Sequence, residues 1–177
     1  FTRSDDGYAP ISEPVVQTIA FPVEQGAGTE HTSSVYYGFV CPGLNRDTQT
    51  ELVLNTLTDL LVDGASNFQQ SLQDALPYGS FAAYIEEDGP EDAIVFVASN
   101  VNPEDADLFK QTVDAALADV AENGFSQDQV DGVMASLKIS ALLVRENSDP
   151  VENVIDSLVS SYAATGDPWN FLDYEDA

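Results

Sequence analysis

The sequence predicts an α+β fold in which helices are layered against an antiparallel sheet. Short runs rich in Val, Ile, Phe and Tyr occur in pairs, at 15–23 with 33–40 and at 80–87 with 92–98. Longer amphipathic segments give the order strand, strand, helix, helix, strand, strand and three helices. Strands grouped in pairs favour antiparallel pairing over alternating parallel βαβ units, and amphipathic helices need a sheet or one another for cover.

Length and composition favour a single domain. The chain has 177 residues, of which 44% are hydrophobic, and this is enough for one substantial core. Residues 1–13 carry charge, Gly7 and Pro10 without periodicity, so we expect a linker or entry segment there. Residues 14–177 form the predicted domain. Because the first residue is Phe1 rather than Met, we expect a fragment of a longer multidomain protein.

The first four elements have local boundary signals. Val15 to Val23 and Ser33 to Val40 are rich in β-branched and aromatic side chains, which is typical of strands. A helix is predicted from Thr48, in a capping-box pattern, to Gly64, whose left-handed conformation would end it. Ser66 opens a shorter helix that stops at Pro77. The predicted inward side chains are Val53, Leu57, Leu60 and Leu61 in the first helix and Phe68, Leu72 and Ala75 in the second.

A β-hairpin is predicted next, with its turn at Asp88-Gly89-Pro90. Its arms are Ser80 to Glu87 and Asp92 to Ala98. The second arm contains the continuous apolar run Ile94-Val95-Phe96-Val97, which is typical of a strand covered on both faces.

Three helices are predicted after the hairpin. The first begins at Asn102-Pro103, with acidic residues in its first turn, and ends at Asn123-Gly124. Ser126 begins the second, and Asp149-Pro150 begins the third. Their predicted inward stripes are Leu108, Phe109, Val113, Ala116, Leu117 and Val120; Val130, Val133, Met134, Leu137 and Leu142; and Val151, Ile155, Leu158, Val159 and Tyr162.

The charge balance excludes several classes of partner. The chain has 31 acidic and 5 basic residues, a formal net charge of −26. Nucleic acids and anionic lipids both require a basic surface, so neither is an expected partner. No apolar run is long enough to cross a bilayer, so we expect a soluble protein. The sequence leaves the compartment open, with the cytoplasm favoured. Such charge could steer basic peptides to the surface, or it could keep the chain soluble in a salty or crowded interior. The solubility interpretation is favoured because the acids are spread along the chain.

No residue is predicted to be catalytic or to bind a metal. A catalytic zinc takes three protein ligands, and His31 is the only histidine. His31 with Glu30 and Cys41 could in principle bind a metal, but a loop histidine beside a strand is the favoured interpretation. His31 and Cys41 would lie at opposite ends of one strand, which separates them too far for Cys–His catalysis. No serine lies in a G-x-S-x-G motif.

The remaining candidates for a functional site have structural explanations. Adjacent carboxylates arise freely in so acidic a chain, and they lack the ladder of a calcium loop. The isolated glycines are predicted to be helix caps or solitary positions rather than a phosphate loop. The three aromatic residues are predicted to be core or cross-strand packing residues. These residues are Asp5-Asp6, Glu86-Glu87-Asp88 and Glu91-Asp92; Gly124, Gly132 and Gly166; and Tyr36-Tyr37 with Phe96.

Several segments resemble the second, non-catalytic domain of pitrilysin/insulinase-type zinc peptidases, and they occur in the same order along the chain as in that domain. They are most similar to the presequence-protease branch. The ending Asp167-Pro168-Trp169, continuing to Glu175, is the most branch-specific piece. The other segments are Pro42-Gly43, Leu61-Val62-Asp63-Gly64, Ser66 to Leu72, Leu76-Pro77-Tyr78-Gly79, Glu122-Asn123-Gly124-Phe125 and Leu143-Val144-Arg145-Glu146.

This resemblance implies a role without catalysis. Members of the family combine homologous α+β domains, usually four, around a closed peptide chamber, and the first domain carries the zinc. The resemblance therefore implies a domain that encloses substrate, with no cofactor on this chain and zinc in the parent protein. Its partners would be neighbouring domains of the same polypeptide and peptide substrates. Residues 72–84 contain no arginine, which disfavours the family's last domain, where an Arg and a Tyr hold substrate.

Two alternatives stay open at this point. The chain could be a catalytically inactive subunit that pairs with an active chain, or an unrelated acidic binding protein. No substrate-binding residue can be named from the sequence.

The net charge of −26 predicts salt-dependent stability. Repulsion among the carboxylates opposes the compact state, and dissolved ions screen it. We expect the melting temperature of the purified chain to rise as sodium or potassium chloride is added. Chloride is preferred because sulfate also stabilises folded proteins by exclusion from their surface. A melting temperature that stays constant between low and high chloride would contradict strong self-repulsion.

Overall fold

A three-stranded antiparallel sheet with helices on one face forms the described part of the chain. In chain order the elements are β1 (Ser33–Cys41), α1 (Thr48–Val62), α2 (Asn67–Ala75), β2 (Ser80–Glu86), β3 (Asp92–Val101), a 3-10 turn (Pro103–Asp105), α3 (Ala106–Asn123) and α4 (Gln127–Asn147). The computed structural model describes residues 13–20, 22, 26, 28–41, 48–86, 92–147, 154–156, 158–159, 161–162 and 166–169. The predicted α+β class is confirmed.

Strand β3 lies at the centre of the sheet. The strand order is β1-β3-β2, and both pairings are antiparallel. The predicted hairpin of β2 and β3 is confirmed, and β3 continues to Val101 because its last residues pair with β1. A shift in register between Ser33 and Ser34 leaves Asn100 as an extra residue, with a positive φ of 59°. The sheet therefore joins two segments that α1 and α2 separate in sequence.

The core lies between the sheet and the helices. Phe96 and Ala98 of β3 are buried against Phe68 and Leu72 of α2 and against Phe109 of α3. The rings of Phe68 and Phe96 lie 5.5 Å apart, and Phe81 of β2 stacks on Phe109 at 6.2 Å. Burying each aromatic ring stabilises the fold by about 1.5–3 kcal/mol relative to exposure. The inner face of the sheet also contributes Val35, Tyr37, Ala83 and Ile94 to this core.

Side-chain caps begin α2 and α4, as the sequence predicted. The Ser66 hydroxyl accepts a hydrogen bond from the Gln69 backbone N–H at 2.9 Å. At α4, the Ser126 hydroxyl accepts from the Gln129 N–H, and the Gln129 side-chain oxygen accepts from the Ser126 N–H. These reciprocal bonds satisfy backbone donors that the helix itself leaves unpaired. The positive φ of Gly124, 69°, follows the end of α3 as predicted.

The predicted first strand is wrong. Residues 15–20 and Pro22 form no strand, and the side chains of Val15, Val16 and Ile19 are largely exposed. Branched side chains favour strands only where a neighbouring edge offers backbone partners and a surface to pack against. Neither edge of the described sheet pairs with this segment, so its β propensity is not realised.

The residue predicted to end α1, Gly64, is also wrong. Gly64 does not adopt the left-handed conformation. Asp63 ends the helix instead, since its side chain accepts from the Ala65 N–H and its carbonyl accepts from the Ser66 N–H, each at 2.9 Å. The tight turn leads directly into the α2 cap.

The predicted helix faces are correct near the core and wrong at its margins. Phe68, Leu72, Phe109, Val113 and Ala116 are buried as expected. Helical periodicity identifies an apolar side, but it does not show how far the covering surface extends. The predicted inward residues that prove exposed are Val53, Leu108, Met134, Ile155, Val159 and Tyr162.

Several predictions fall outside the described residues. They include the linker of residues 1–13 apart from Glu13, the hairpin turn at 87–91, the Pro42-Gly43 boundary, and the start of the last helix at Asp149-Pro150. Residues 154–156, 158–159 and 161–162 of that last helix are helical.

The buried cap at Ser66 predicts a measurable loss of stability. Ser66 is 1% exposed, and its hydroxyl also donates to the Leu61 carbonyl. Ser66→Ala removes both bonds and leaves the Gln69 N–H and the Leu61 carbonyl without this partner. We expect unfolding free energy to fall by about 1–2 kcal/mol in chemical denaturation. Ser71→Ala, at an exposed position in the same helix, is the matched control and should change stability little. Equal effects of the two substitutions would contradict this role of Ser66.

Candidate functional site

The outer face of the sheet points away from the helices and forms the candidate site. Directly opposed residues of antiparallel strands share a face, and successive residues alternate between faces. The register therefore places four rows on the outer face, and none of their residues belongs to the helix-packed core. From one end of the sheet to the other, the rows are Ser34, Ser99 and Ser80; Tyr36, Val97 and Ala82; Gly38, Val95 and Tyr84; and Val40, Ala93 and Glu86.

The outer face is apolar and accessible. Tyr36 is 66% exposed and Tyr84 is 39% exposed, whereas Val97 between them is only 8% exposed. The face carries one acidic side chain, Glu86, and no lysine or arginine. In a chain of charge −26, this is a nearly uncharged surface with two aromatic rings at its edges.

Tyr36 is the functional candidate that sequence analysis identified only as a core or cross-strand packing residue. It was predicted to be a packing residue with Tyr37 and Phe96, and those two do pack in or against the core. Tyr36 instead lies opposite Val97 on the outer face. The signal in the sequence was that β3 is apolar on both of its faces. The prediction took this to mean that other parts of the chain cover both faces of β3.

His31 has a structural role at one end of the sheet. Its backbone N–H donates to Asn102 Oδ1 at 2.9 Å, and its ring stacks on Tyr78 with centroids 4.3 Å apart. Because Asn102 Oδ1 is already an acceptor, the amide nitrogen faces His31 Nδ1, at 3.3 Å. In this arrangement Nδ1 accepts the bond. The chain's single histidine therefore links the segment before β1 to Asn102, at the start of the 3-10 turn, by hydrogen bonds.

The other candidates for chemistry do not assemble into a centre. His31 precedes β1 and Cys41 ends it, so about ten residues at 3.3 Å each separate them. The Cys41 thiol donates to the Phe39 carbonyl at 3.5 Å. Within the described ranges, no three His, Cys, Asp or Glu side chains are placed to hold a metal ion. Asp5-Asp6, Glu87-Asp88 and Glu91 lie outside those ranges.

A cation and a carboxylate meet an aromatic ring where α3 crosses β1. Lys110 Nζ lies 2.7 Å from Asp114 Oδ2 and 4.8 Å from the centre of the Tyr37 ring. The Tyr37 hydroxyl donates to Asp114 Oδ1 at 2.9 Å. The hydrogen bond from Lys110 lowers the pKa of Asp114, and Tyr37 adds to the effect. The hydrogen bond to Asp114 likewise raises the pKa of Lys110.

Comparison with known families identifies the domain. The family model described as the peptidase M16 inactive domain matches residues 8–137. The chain belongs to the peptidase M16 inactive-domain family. This confirms the resemblance to the non-catalytic domain of pitrilysin-type peptidases. Among proteins of curated function, the comparison finds no match to the chain.

Solved structures share the fold of this M16 domain. A protease from Helicobacter pylori superposes with a TM-score of 0.62 at 20% identity, covering 82% of this chain and 34% of that one. The inactive peptidase domain of a protein described as a zinc protease, from Bordetella parapertussis, gives 0.59 at 21% identity, covering 81% and 75%. The periplasmic protease PqqL from Escherichia coli gives 0.59 at 14% identity, with 81% of this chain covered.

The M16 domain is much shorter than two of these relatives. It spans 15% of the PqqL chain and 34% of the Helicobacter pylori chain. It corresponds in size to a domain within multidomain proteases. Among the described residues of the M16 domain, no helix is both long enough and apolar enough to cross a membrane.

The Lys110–Asp114 pair predicts a pKa change that can be measured directly. Lys110→Gln removes the bond that lowers the Asp114 pKa, so this pKa should rise towards its ordinary value of 3.8. The pair stabilises the M16 domain at neutral pH, and this stabilisation is lost as pH falls through the lowered pKa of Asp114. The measurement is an NMR titration of the Asp114 carboxyl carbon in both proteins. Tyr37→Phe is the control and should produce a smaller rise. An unchanged Asp114 pKa in Lys110→Gln would contradict the assignment.

Proposed function

We propose that this M16 domain is the non-catalytic, substrate-enclosing part of a zinc-dependent peptidase that degrades peptides. The observation that carries the proposal is an apolar, accessible sheet face in a domain of an inactive peptidase family. The proposed domain comprises residues 14–177 and belongs to a longer polypeptide related to the presequence-protease branch. Its partners are the neighbouring domains of that polypeptide and peptide substrates.

In this proposal the bond-breaking chemistry belongs to a separate domain of the parent protein. A zinc ion bound there would supply an activated water and polarise the scissile carbonyl. The residues of the M16 domain supply the enclosing surface. Helices α2 and α3 pack on the inner face and hold the sheet rigid, while the outer face stays available to a peptide. An enclosed chamber admits extended chains and excludes folded proteins.

The charge distribution supports enclosure rather than a nucleic-acid or membrane role. The acidic surface repels nucleic acids and anionic lipids, whereas the outer face has Glu86 as its single charged side chain. In the proposed enclosure, the acidic surface faces solvent and the nearly uncharged outer face of the sheet contacts the peptide.

The proposal predicts that the purified 177-residue chain does not hydrolyse peptides. The assay is cleavage of a quenched fluorescent peptide library with added zinc, and with a chelator as the control. We expect no chelator-sensitive cleavage by this chain alone. Zinc-dependent hydrolysis by the pure chain would contradict the assignment of catalysis to another domain.

A second experiment uses the parent polypeptide. The gene segment encoding the residues before Phe1 should encode an H-x-x-E-H motif on a predicted helix. The complete protein should then cleave the same library, and replacing the motif glutamate by glutamine should abolish cleavage. If the segment lacks the motif, the proposed zinc peptidase is wrong, and an inactive subunit that pairs with an active chain becomes the better explanation.

A further inference from the structure

We infer that Asn123 is a deamidation site, and that the cap at the end of α3 holds back this reaction in the folded domain. The proposed function does not involve this residue. The position of the site follows from one dipeptide of the sequence, and its protection follows from two hydrogen bonds of the structure.

Asn123-Gly124 is the single Asn-Gly pair in the chain. In such a pair the backbone nitrogen of glycine can attack the amide carbon of the asparagine side chain, because glycine has no Cβ to hinder the approach. All other asparagines precede bulkier residues. Two examples are Asn100-Val101, where the next side chain is branched, and Asn102-Pro103, where the next residue has no backbone N–H. The sequence therefore singles out Asn123 for this reaction.

The reaction requires no reactant other than water. The Gly124 nitrogen loses its proton to solvent and forms a bond to Cγ of Asn123, while the bond from Cγ to Nδ2 breaks and ammonia leaves. The product is a cyclic succinimide. Water then adds to one of the two ring carbonyl carbons and opens the ring, which gives aspartate or isoaspartate. Nothing is oxidised or reduced, and the chain gains one carboxylate.

Two hydrogen bonds oppose ring closure in the folded domain. The Gly124 N–H donates to the Val120 carbonyl at 2.8 Å, so the attacking nitrogen is directed towards the helix. Asn123 Nδ2 donates to Asp119 Oδ1 at 2.7 Å, which holds the side-chain amide along the same helix. Asn123 is also the last residue of α3, and ring closure requires its ψ to leave the helical value. Both reacting atoms are therefore held away from the geometry of attack.

The turn after α3 is open to water but anchored on both sides. Asn123 and Gly124 are exposed. Val120 before them and Phe125 after them both pack against the hydrophobic core. Helix ends ordinarily fray at little cost in free energy, but fraying at this end also pulls on these two core contacts. We expect the reaction to proceed through this local opening of the turn.

Deamidation is expected to damage the end of α3. The new carboxylate lies at the negative end of the helix dipole, where a negative charge is unfavourable. Isoaspartate also adds one carbon atom to the main chain between residues 123 and 124. The Gly124 N–H then no longer lies opposite the Val120 carbonyl, and Phe125 is shifted relative to the core. The modified domain should therefore be less stable than the unmodified one.

Incubation of the 177-residue chain in mildly alkaline buffer tests the inference. One sample is folded and one is unfolded in urea, at the same chloride concentration. Peptide mapping by mass spectrometry measures the gain of about one dalton at each asparagine. We expect Asn123 to react fastest in urea, and its rate in the folded chain to be lower by about tenfold or more. An unmodified Asn123 in urea would overturn the site, and equal rates in the two samples would overturn its protection.

Two substitutions of Asp119 test the side-chain hydrogen bond. Asp119→Ala removes the acceptor for Asn123 Nδ2, and deamidation of the folded chain should become faster by about threefold. The matched control is Asp119→Asn, which keeps an oxygen that can accept the same bond and should react at nearly the original rate. Both substitutions remove the same negative charge, so the difference between them reports the hydrogen bond. Equal rates in the two folded variants would contradict this role of Asp119.

Gly124→Ala tests the attacking group. The added methyl group hinders the approach of the backbone nitrogen, so deamidation of Asn123 in urea should be slower by about tenfold or more. The comparison is made in urea because alanine would be strained at the positive φ of 69° that residue 124 has in the folded chain. An unchanged rate would show that the Gly124 nitrogen is not the nucleophile.

Thermal melts test the effect on the fold. The deamidated chain is separated from the unmodified chain by ion exchange, since it carries one more negative charge, and both are returned to folding conditions. We expect the deamidated chain to melt at a lower temperature at the same chloride concentration. Equal melting temperatures would contradict the predicted damage to the end of α3.

Discussion

The structure depends on one aromatic contact layer between the inner face of the sheet and two helices. Phe96 on the central strand meets Phe68 of α2, and Phe81 on an edge strand stacks on Phe109 of α3. These contacts join residues far apart in sequence, so the strands and helices become stable together rather than individually. The Ser66 cap begins α2 at a position that brings Phe68 and Leu72 to this layer. Removing the layer would leave a sheet and amphipathic helices without cover.

The same arrangement gives the sheet two unlike faces. The helix-packed core occupies the inner face, and the outer face stays apolar and accessible. A central strand that is apolar on both sides is therefore half buried by its own domain, and its second side is available to a ligand. The acidic residues that dominate the chain are nearly absent from that second side.

Membership of an inactive peptidase family shows how a fold can persist without its chemistry. The α+β framework holds a sheet and helices in place whether or not metal ligands are present, since its stability comes from packing. The single histidine takes part in this framework through Asn102 and Tyr78. The open outer face of the sheet is the surface on which the proposed enclosing role rests.

The sequence by itself determined the fold class, the caps that begin α2 and α4, and the central hairpin, because these depend on local periodicity and short-range hydrogen bonds. Ser66, Ser126 and Gly124 act where their spacing predicted. The tertiary structure decided which apolar segments are covered. The run at Val15 found no strand edge, and the stripe at Ile155 stayed exposed. The exposure of Tyr36 depended on which sheet face the helices occupy. Periodicity reveals an apolar side, but only packing between distant segments determines what lies against it.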